Sequence, residues 1–274
     1  MTNLRAAGPH VKLALFGALP RNLHLLSELV RRDFSLRFAG STLGIAWAVL
    51  QPLSLIVLYW FVFTQIFEGP RMGDGGAHYD NYALFLISGL LAWIGFQEGI
   101  ARGTSSIAEN ATLVRRLTFK TELLVMAPNI SALIFEVIGI VLFLIYLLLT
   151  GHSLWNLWLL PFALIIQLGL QTGIAFALAT VQVFFRDVGQ VLGFLLSILF
   201  FLSPILYRVE GSRWEKFFGW NPLTPLLGLF RSAILSEPLP QPASIVILLV
   251  IAAAAFAGGL TLLRRLQASL ADFL

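Results

Sequence analysis

The chain contains no cysteine, which rules out disulfides and thiolate metal sites. It has four histidines, His10, His24, His78 and His152, scattered without ligand-like spacing, so a metal centre is not expected. Charge is scarce: Asp, Glu, Lys and Arg make up 12% of the residues, against roughly 25% in a soluble domain. The phosphate-binding pattern G-x-x-x-x-G-K-[ST] is missing, so ATP hydrolysis by this chain alone is not expected. The run Gly73-Asp74-Gly75-Gly76 is glycine-rich but no lysine follows, and it reads as a turn. No internal repeat stands out, which argues against an inverted-repeat carrier. The loops offer no paired carboxylates with a histidine partner, which argues against a membrane-bound enzyme.

What the chain does have is apolar length. Hydrophobic residues make up 58% of it. The charges cluster, leaving about six apolar runs of membrane-spanning length. The expected fold is an all-α integral membrane protein with six transmembrane helices, forming one domain over residues 1–274. Residues 11–19 are apolar, but Pro20 and the charges after it end that stretch, and no small-residue cleavage site follows, so a secretory signal is not expected.

Before the first span, residues 22–38 are amphipathic. Leu23, Leu26, Val30 and Phe34 recur at steps of three and four and share a helical face. Glu28, Arg31, Arg32, Ser35 and Arg37 fall mostly elsewhere. Such a helix can lie in the headgroup plane with its arginines near anionic lipid. Spans are expected over residues 42–67, 81–101, 122–150, 158–185, 188–206 and 244–263. Pro52 should kink the first. Arg186-Asp187 marks a tight turn between the fourth and fifth.

Two segments between spans differ in character. Residues 102–120 are polar and basic, and Ser106 with Glu109 has capping-box spacing, so a short helix is expected over 106–120. It carries Glu109, Asn110, Leu113, Arg115 and Arg116. Residues 207–237 hold Tyr207, Trp214, Phe217, Phe218 and Trp220 among several prolines. Trp214, Phe217 and Phe218 fall on one helical face, and a second short apolar helix should end near Leu235. Two surface helices fit this segment better than a span.

Orientation follows from the basic residues. With the N-terminus inside, thirteen Lys and Arg fall on the inner side and five (Arg71, Arg208, Arg213, Lys216, Arg231) on the outer, placing both termini in the cytoplasm. Two carboxylates lie within spans, Glu98 and Glu136. An ionisable group in the bilayer is costly and is usually paired or functional. Glu98 can reach water or pair with Arg102 at i+4; Glu136 is deeper. Aromatic clusters around Tyr59 and Phe63, and around Phe194 and Phe201 with Ser197 between, read either as lipid contacts or as a channel wall. Flat rings would let the apolar faces of sugar rings slide without fixed hydrogen bonds.

Four motifs, in order along the chain, resemble one family. The stretch Arg32-Asp33-Phe34-Ser35-Leu36-Arg37, then Gly40-Ser41, Leu43-Gly44, Trp47 and Gln51-Pro52, resembles the entry to the first span in ABC-2 type permeases of polysaccharide exporters, which move O-antigen, teichoic acid or capsule. Residues 110–119 with Glu122 resemble their cytoplasmic coupling segment. Arg186-Asp187 and Ser203-Pro204-Ile205-Leu206-Tyr207 resemble their fifth span and its exit. Asn221-Pro222, Phe230-Arg231 and Ile234-Leu235 resemble the end of their periplasmic gate. At position 120 the family often has proline after a phenylalanine, and here Lys120 follows Phe119.

The resemblance implies a homodimer of this chain in the cytoplasmic membrane, two copies of a separate ATPase that holds ATP and Mg, and a lipid-linked polysaccharide as cargo. It makes Glu109, Asn110, Leu113, Arg115 and Arg116 candidates for coupling to the ATPase. Arg31, Arg32 and Arg37 become candidates for the lipid diphosphate. Tyr59, Phe63, Phe194, Ser197 and Phe201 are candidates for the channel, and Tyr207, Trp214, Phe217, Phe218 and Trp220 for the outer gate. Rival expectations are an ABC-2 permease for a small drug or lipid, and an ion-coupled carrier with Glu136 essential.

Overall fold

The computed structural model describes residues 9–66, 80–115, 120–208, 213 and 218–273, and all regular structure among them is helical. Among the described residues nine α-helices run in order: α1 (Pro9–Arg37), α2 (Trp47–Phe61), α3 (Asp80–Glu109), α4 (Ala111–Val114), α5 (Thr121–Leu149), α6 (Leu160–Phe184), α7 (Val188–Leu202), α8 (Leu223–Leu235) and α9 (Pro242–Phe273). A 3-10 turn (Gly44–Ala46) leads into α2 and a π turn (Val62–Ile66) ends it. Helix is the economical choice here, because a bilayer offers no water to backbone groups and a helix satisfies them internally.

Five of these helices are long and apolar enough to cross a membrane: Gly44–Phe61, Tyr82–Glu109, Thr121–Leu149, Leu157–Phe184 and Pro242–Leu270. The fifth expected span is shorter than its apolar run. α7 stops after 15 residues at Leu202, because Ser203 turns extended (φ −105°, ψ 144°) and Pro204 follows. Other boundaries also move. α1 begins at Pro9, ahead of the expected position 22, and α9 continues through Arg264-Arg265 to Phe273.

The coupling helix expected over 106–120 does not begin at Ser106, and residues 116–119 lie outside the described residues. α3 passes straight through Ser106 to Glu109. Ser106 Oγ donates to the carbonyl of Gly103 (2.7 Å), so the hydroxyl is spent inside the helix rather than capping a new one. The break comes at Asn110 (φ −111°, ψ 32°), followed by the single turn α4. Lys120, in extended geometry, then precedes α5.

α3 is the hub. It packs against α5 and α6 along its length and also meets α2, α7 and α8. Close approach is possible because Gly95, Gly99 and Gly103 form a stripe at i, i+4, i+8. A Cβ on Gly95 would collide with the carboxylate of Glu136. One on Gly99 would sit 2.7 Å from Gln171 Nε2 and 3.0 Å from Asn129 Oδ1. One on Gly103 would strike the Asn129 amide. Small residues at such crossings let backbones approach and polar side chains bond across helices. α9 leans on α6 in the same way, where a Cβ on Gly259 would meet the carbonyl of Gly173.

α1 lies apart from this bundle and packs on α5. Leu26, Val30 and Phe34 are half-buried, whereas Leu23, Leu25 and Leu36 stay exposed. Phe38 is the anchor, with its ring 5.7 Å from Phe34 and 6.4 Å from Phe135 of α5. The chain then reverses through Gly40 (φ +79°) and Gly44 (φ +52°), and Ser41 Oγ accepts from the N–H of Gly44 at 2.9 Å. Left-handed backbone suits glycine, so the Gly40-Ser41…Gly44 spacing encodes this turn.

Candidate functional site

Where α1 ends against α3 and α5, a polar cavity of about 470 Å³ opens. α1 brings Arg32, Asp33 and Arg37 to it, at i, i+1 and i+5. α3 brings Glu98, Arg102 and Glu109. Four of these charges form a chain. Arg37 Nη2 donates to Glu98 Oε2 (2.5 Å) and Arg102 Nη2 donates to Asp33 Oδ1 (2.7 Å). Arg102 Nη1 also reaches Glu98 Oε1 at 3.5 Å, one helical turn away. Each α1–α3 pair joins helices far apart in sequence, so the chain acts as an ionic clasp between them.

Arg37 is the least exposed member (13%), and its guanidinium sits 3.6 Å over the ring of Phe135. A cation over an aromatic face is held in orientation as well as attracted. Two clasp atoms are buried without a hydrogen-bond partner, Arg37 Nη1 and Asp33 Oδ2. At the cavity rim, exposed Arg32 donates to Asn110 Oδ1 (3.1 Å), and Asn110 Nδ2 donates back to the Ser106 carbonyl (2.9 Å). Arg31 is exposed on the outer side of α1. The three arginines expected to act together thus divide: Arg31 faces out, Arg32 stands at the rim, and Arg37 is turned inward.

Of the expected coupling residues, Glu109 and Asn110 line this cavity. Glu109 and Arg115 are exposed, Asn110 is half-buried, and Leu113 packs against a cluster containing Val114, Ala179 and Leu270. Arg116 lies outside the described residues. Close by, Arg264 of α9 donates to Glu122 in the first turn of α5 (3.0 Å).

The expected channel residues fall into two groups. Tyr59 and Phe63 stack on each other with centroids 6.2 Å apart, and Phe63 meets Tyr82 of α3 edge-on at 5.3 Å. They pack against the chain's own core. Phe194, Ser197 and Phe201 lie on the open side of α7, and Phe194 is 68% exposed. Only Leu192 and Leu196 of α7 are buried.

At the other end of the bundle, the turn after α7 is held from several directions. Arg231 of α8 is buried, donates to the carbonyls of Pro204 (2.7 Å) and Ile205 (3.3 Å), and lies 3.4 Å over Phe85. Tyr82 donates its hydroxyl to the Leu206 carbonyl (2.7 Å). Asn221 Nδ2 reaches both the Leu202 carbonyl and Ser203 Oγ at 3.0 Å. Tyr207 donates to the Phe201 carbonyl and meets Phe218 edge-on at 5.5 Å. Partial burial lifts its phenol above the usual value. Trp220 is 87% exposed. Trp214 and Phe217 lie outside the described residues.

Glu136 belongs to neither end. It accepts from Gln167 Nε2 (2.5 Å), Gln167 Nε2 also contacts Gln171 Oε1 (3.5 Å), and Gln171 Nε2 donates to the Asn129 carbonyl (3.2 Å). This polar ladder is pressed against the glycine stripe of α3. Sequence reasoning found Glu136 but missed the amides and the stripe. The readable signal was three glycines four residues apart within one apolar run.

Taken together, these features define a polytopic helical membrane protein with a charged cavity at one end, a braced turn at the other, and one largely open apolar helix. The chain belongs to the ABC-2 type transporter family, whose profile matches residues 24–235. It is 27% identical over 222 residues to the O-antigen export system permease protein RfbA of Myxococcus xanthus, covering 79% of this chain and 82% of that one. It is 24% identical to the protein of the same name from Klebsiella pneumoniae, covering 78% and 82%. It is also 24% identical to the polysialic acid transport protein KpsM of Escherichia coli, covering 80% and 84%. The sequence resemblance to polysaccharide-export permeases therefore holds.

Proposed function

We propose that this chain is the membrane subunit of an ATP-driven exporter of a lipid-linked polysaccharide. The observation that carries the reading is the similarity, over about four-fifths of both chains, to permeases named for O-antigen export and polysialic acid transport. In this reading the chain is one transmembrane domain in the cytoplasmic membrane, with both termini inside and α7 serving as a short sixth span. Two copies form the channel, and two copies of a separate ATPase supply ATP and Mg beneath it.

The working parts follow from position. Glu109, Asn110, Leu113, Arg115 and Arg116 form the face that receives the ATPase's motion. Because α3 is continuous from Tyr82 to Glu109, a push on that face travels along a rigid rod to the braced turn after α7. α7 and α2 then separate from their counterparts in the partner copy. Phe194, Ser197 and Phe201 line the path, with Tyr59 and Phe63 behind them. Tyr207, Trp214, Phe217, Phe218 and Trp220 close the outer mouth at rest. Arg31, Arg32 and Arg37 receive the lipid's diphosphate on the inner side, where the guanidinium fork matches phosphate oxygens.

The test is depletion of the protein in its host, followed by fractionation of surface glycan and the lipid-linked pool. Loss of a surface polysaccharide with its lipid-linked form accumulating inside is the expected result. No change in either pool overturns the reading in favour of small-molecule or lipid efflux.

A further inference from the structure

The cavity between α1 and α3 holds arginines suited to an anion, yet it is not a positive pocket. Arg32, Arg37 and Arg102 are matched there by Asp33, Glu98 and Glu109. Two of those carboxylates are ion-paired to two of the arginines. An anion that arrives finds its donors engaged.

We propose that Asp33 and Glu98 are built-in stand-ins for a diphosphate: the ligand takes Arg37 and Arg102 from them and bridges α1 and α3 in their place. The inference rests on the export reading and deepens it, since it names the groups a diphosphate must displace in the same cavity. Three observations support it. First, the two close ion pairs between α1 and α3 are the contacts an anion would compete for. Second, Arg37 is fixed by Phe135 and keeps a buried Nη1 without a hydrogen-bond partner. The second fork nitrogen therefore keeps an unused donor that a tetrahedral anion, which can take two donors at once, can reach once Glu98 is displaced. Third, the cavity's volume lies within the roughly 300–1,000 Å³ usual for ligand pockets, and Arg32 stands exposed at its rim. A neutral cavity also discriminates: a singly charged headgroup gains little by displacing a carboxylate of equal charge, whereas a diphosphate brings more charge and more acceptor oxygens.

The experiment uses the full chain with its ATPase in nanodiscs and measures equilibrium binding of three probes: farnesyl diphosphate, farnesol and inorganic pyrophosphate. Glu98→Gln and Asp33→Asn remove a stand-in while keeping its shape. Each is expected to bind farnesyl diphosphate about tenfold tighter than wild type. Arg37→Gln is expected to bind about tenfold weaker. The opposite signs are the readout, since a clasp that only holds the fold together would weaken binding in all three variants, and that result overturns the proposal. Asp33 is the more exposed carboxylate, so Asp33→Asn keeps the test open if Glu98→Gln fails to fold. Pyrophosphate binding as tightly as farnesyl diphosphate supports the exchange and assigns the site to a soluble diphosphate instead of a lipid. Farnesol binding equally well overturns an anion site altogether. If wild type binds no diphosphate while depletion still traps lipid-linked glycan inside, this inference fails and the export reading stands.

Discussion

α2 and α3 have the same mean hydropathy over their membrane-length stretches, yet 83% of that stretch is buried in α3 and 17% in α2. The difference is one of texture. α3 places glycines at every fourth position and is enclosed by α5 and α6, whose polar side chains fill the space those glycines leave. α2 buries a single stripe, Ala48, Pro52 and Ile56, and turns Trp47, Gln51, Ser54 and Trp60 outward. α7 does the same with Leu192 and Leu196. A chain built this way has a closely packed interior and a pair of helices, α2 and α7, with a mixed apolar and polar open face. Hydropathy finds both kinds of helix, and the spacing of small residues tells them apart.

The contrast can be broken most sharply at its glycines. Gly95→Leu should abolish accumulation of folded protein in the membrane, since a Cβ alone would collide with Glu136, and overpacking by even one methyl group costs about 1–3 kcal/mol. Gly193→Leu on α7, where nothing lies within 4 Å, should leave a folded protein, seen by size-exclusion profile and thermal melting in detergent. Equal damage from both would erase the distinction. Next in size is Arg231→Ala, which strips two carbonyls of their donor and should cost about 3 kcal/mol in detergent melting.

Glu136→Ala should cost about 2 kcal/mol and Glu136→Gln roughly half that, because the amide keeps the shape and a partner for Gln167. That ordering also separates a structural acid from an ion-coupling one, for which Glu136→Gln would abolish transport with stability unchanged. The smallest stability effect is expected at Phe194→Ala with Phe201→Ala, within about 0.5 kcal/mol. Their export rate, measured by pulse labelling of surface glycan, should still fall severalfold. Export at the wild-type rate would remove α7 from the channel wall.

Much of this was legible in the chain itself. Apolar run length placed five of the membrane-length helices, and Arg186-Asp187 gave the turn before α7. Local rules failed where a longer-range term competed. Ser106 and Glu109 have capping-box spacing, but a cap needs a broken helix before it, and α3 had no reason to break until Asn110. Arg37 reads from sequence as one more headgroup arginine. That it faces Glu98, 61 positions away, is decided by Phe38 docking on Phe135. The Asn129–Gln171–Gln167–Glu136 ladder was invisible because its members lie in two separate spans and meet only through the glycines of a third.

The shortness of α7 has one more consequence. Fifteen residues rise about 22 Å, whereas the hydrocarbon layer is roughly 30 Å thick. α5, with 29 residues, has no such deficit. Lipid beside α7 must therefore thin to meet it, while lipid beside α5 need not, and each ångström of mismatch carries a small elastic cost. The bilayer is thus strained most wherever the open face of α7 meets lipid instead of a second copy. Lengthening the acyl chains of the surrounding lipid raises that strain, so a thicker membrane favours covering α7 with protein over leaving it in lipid.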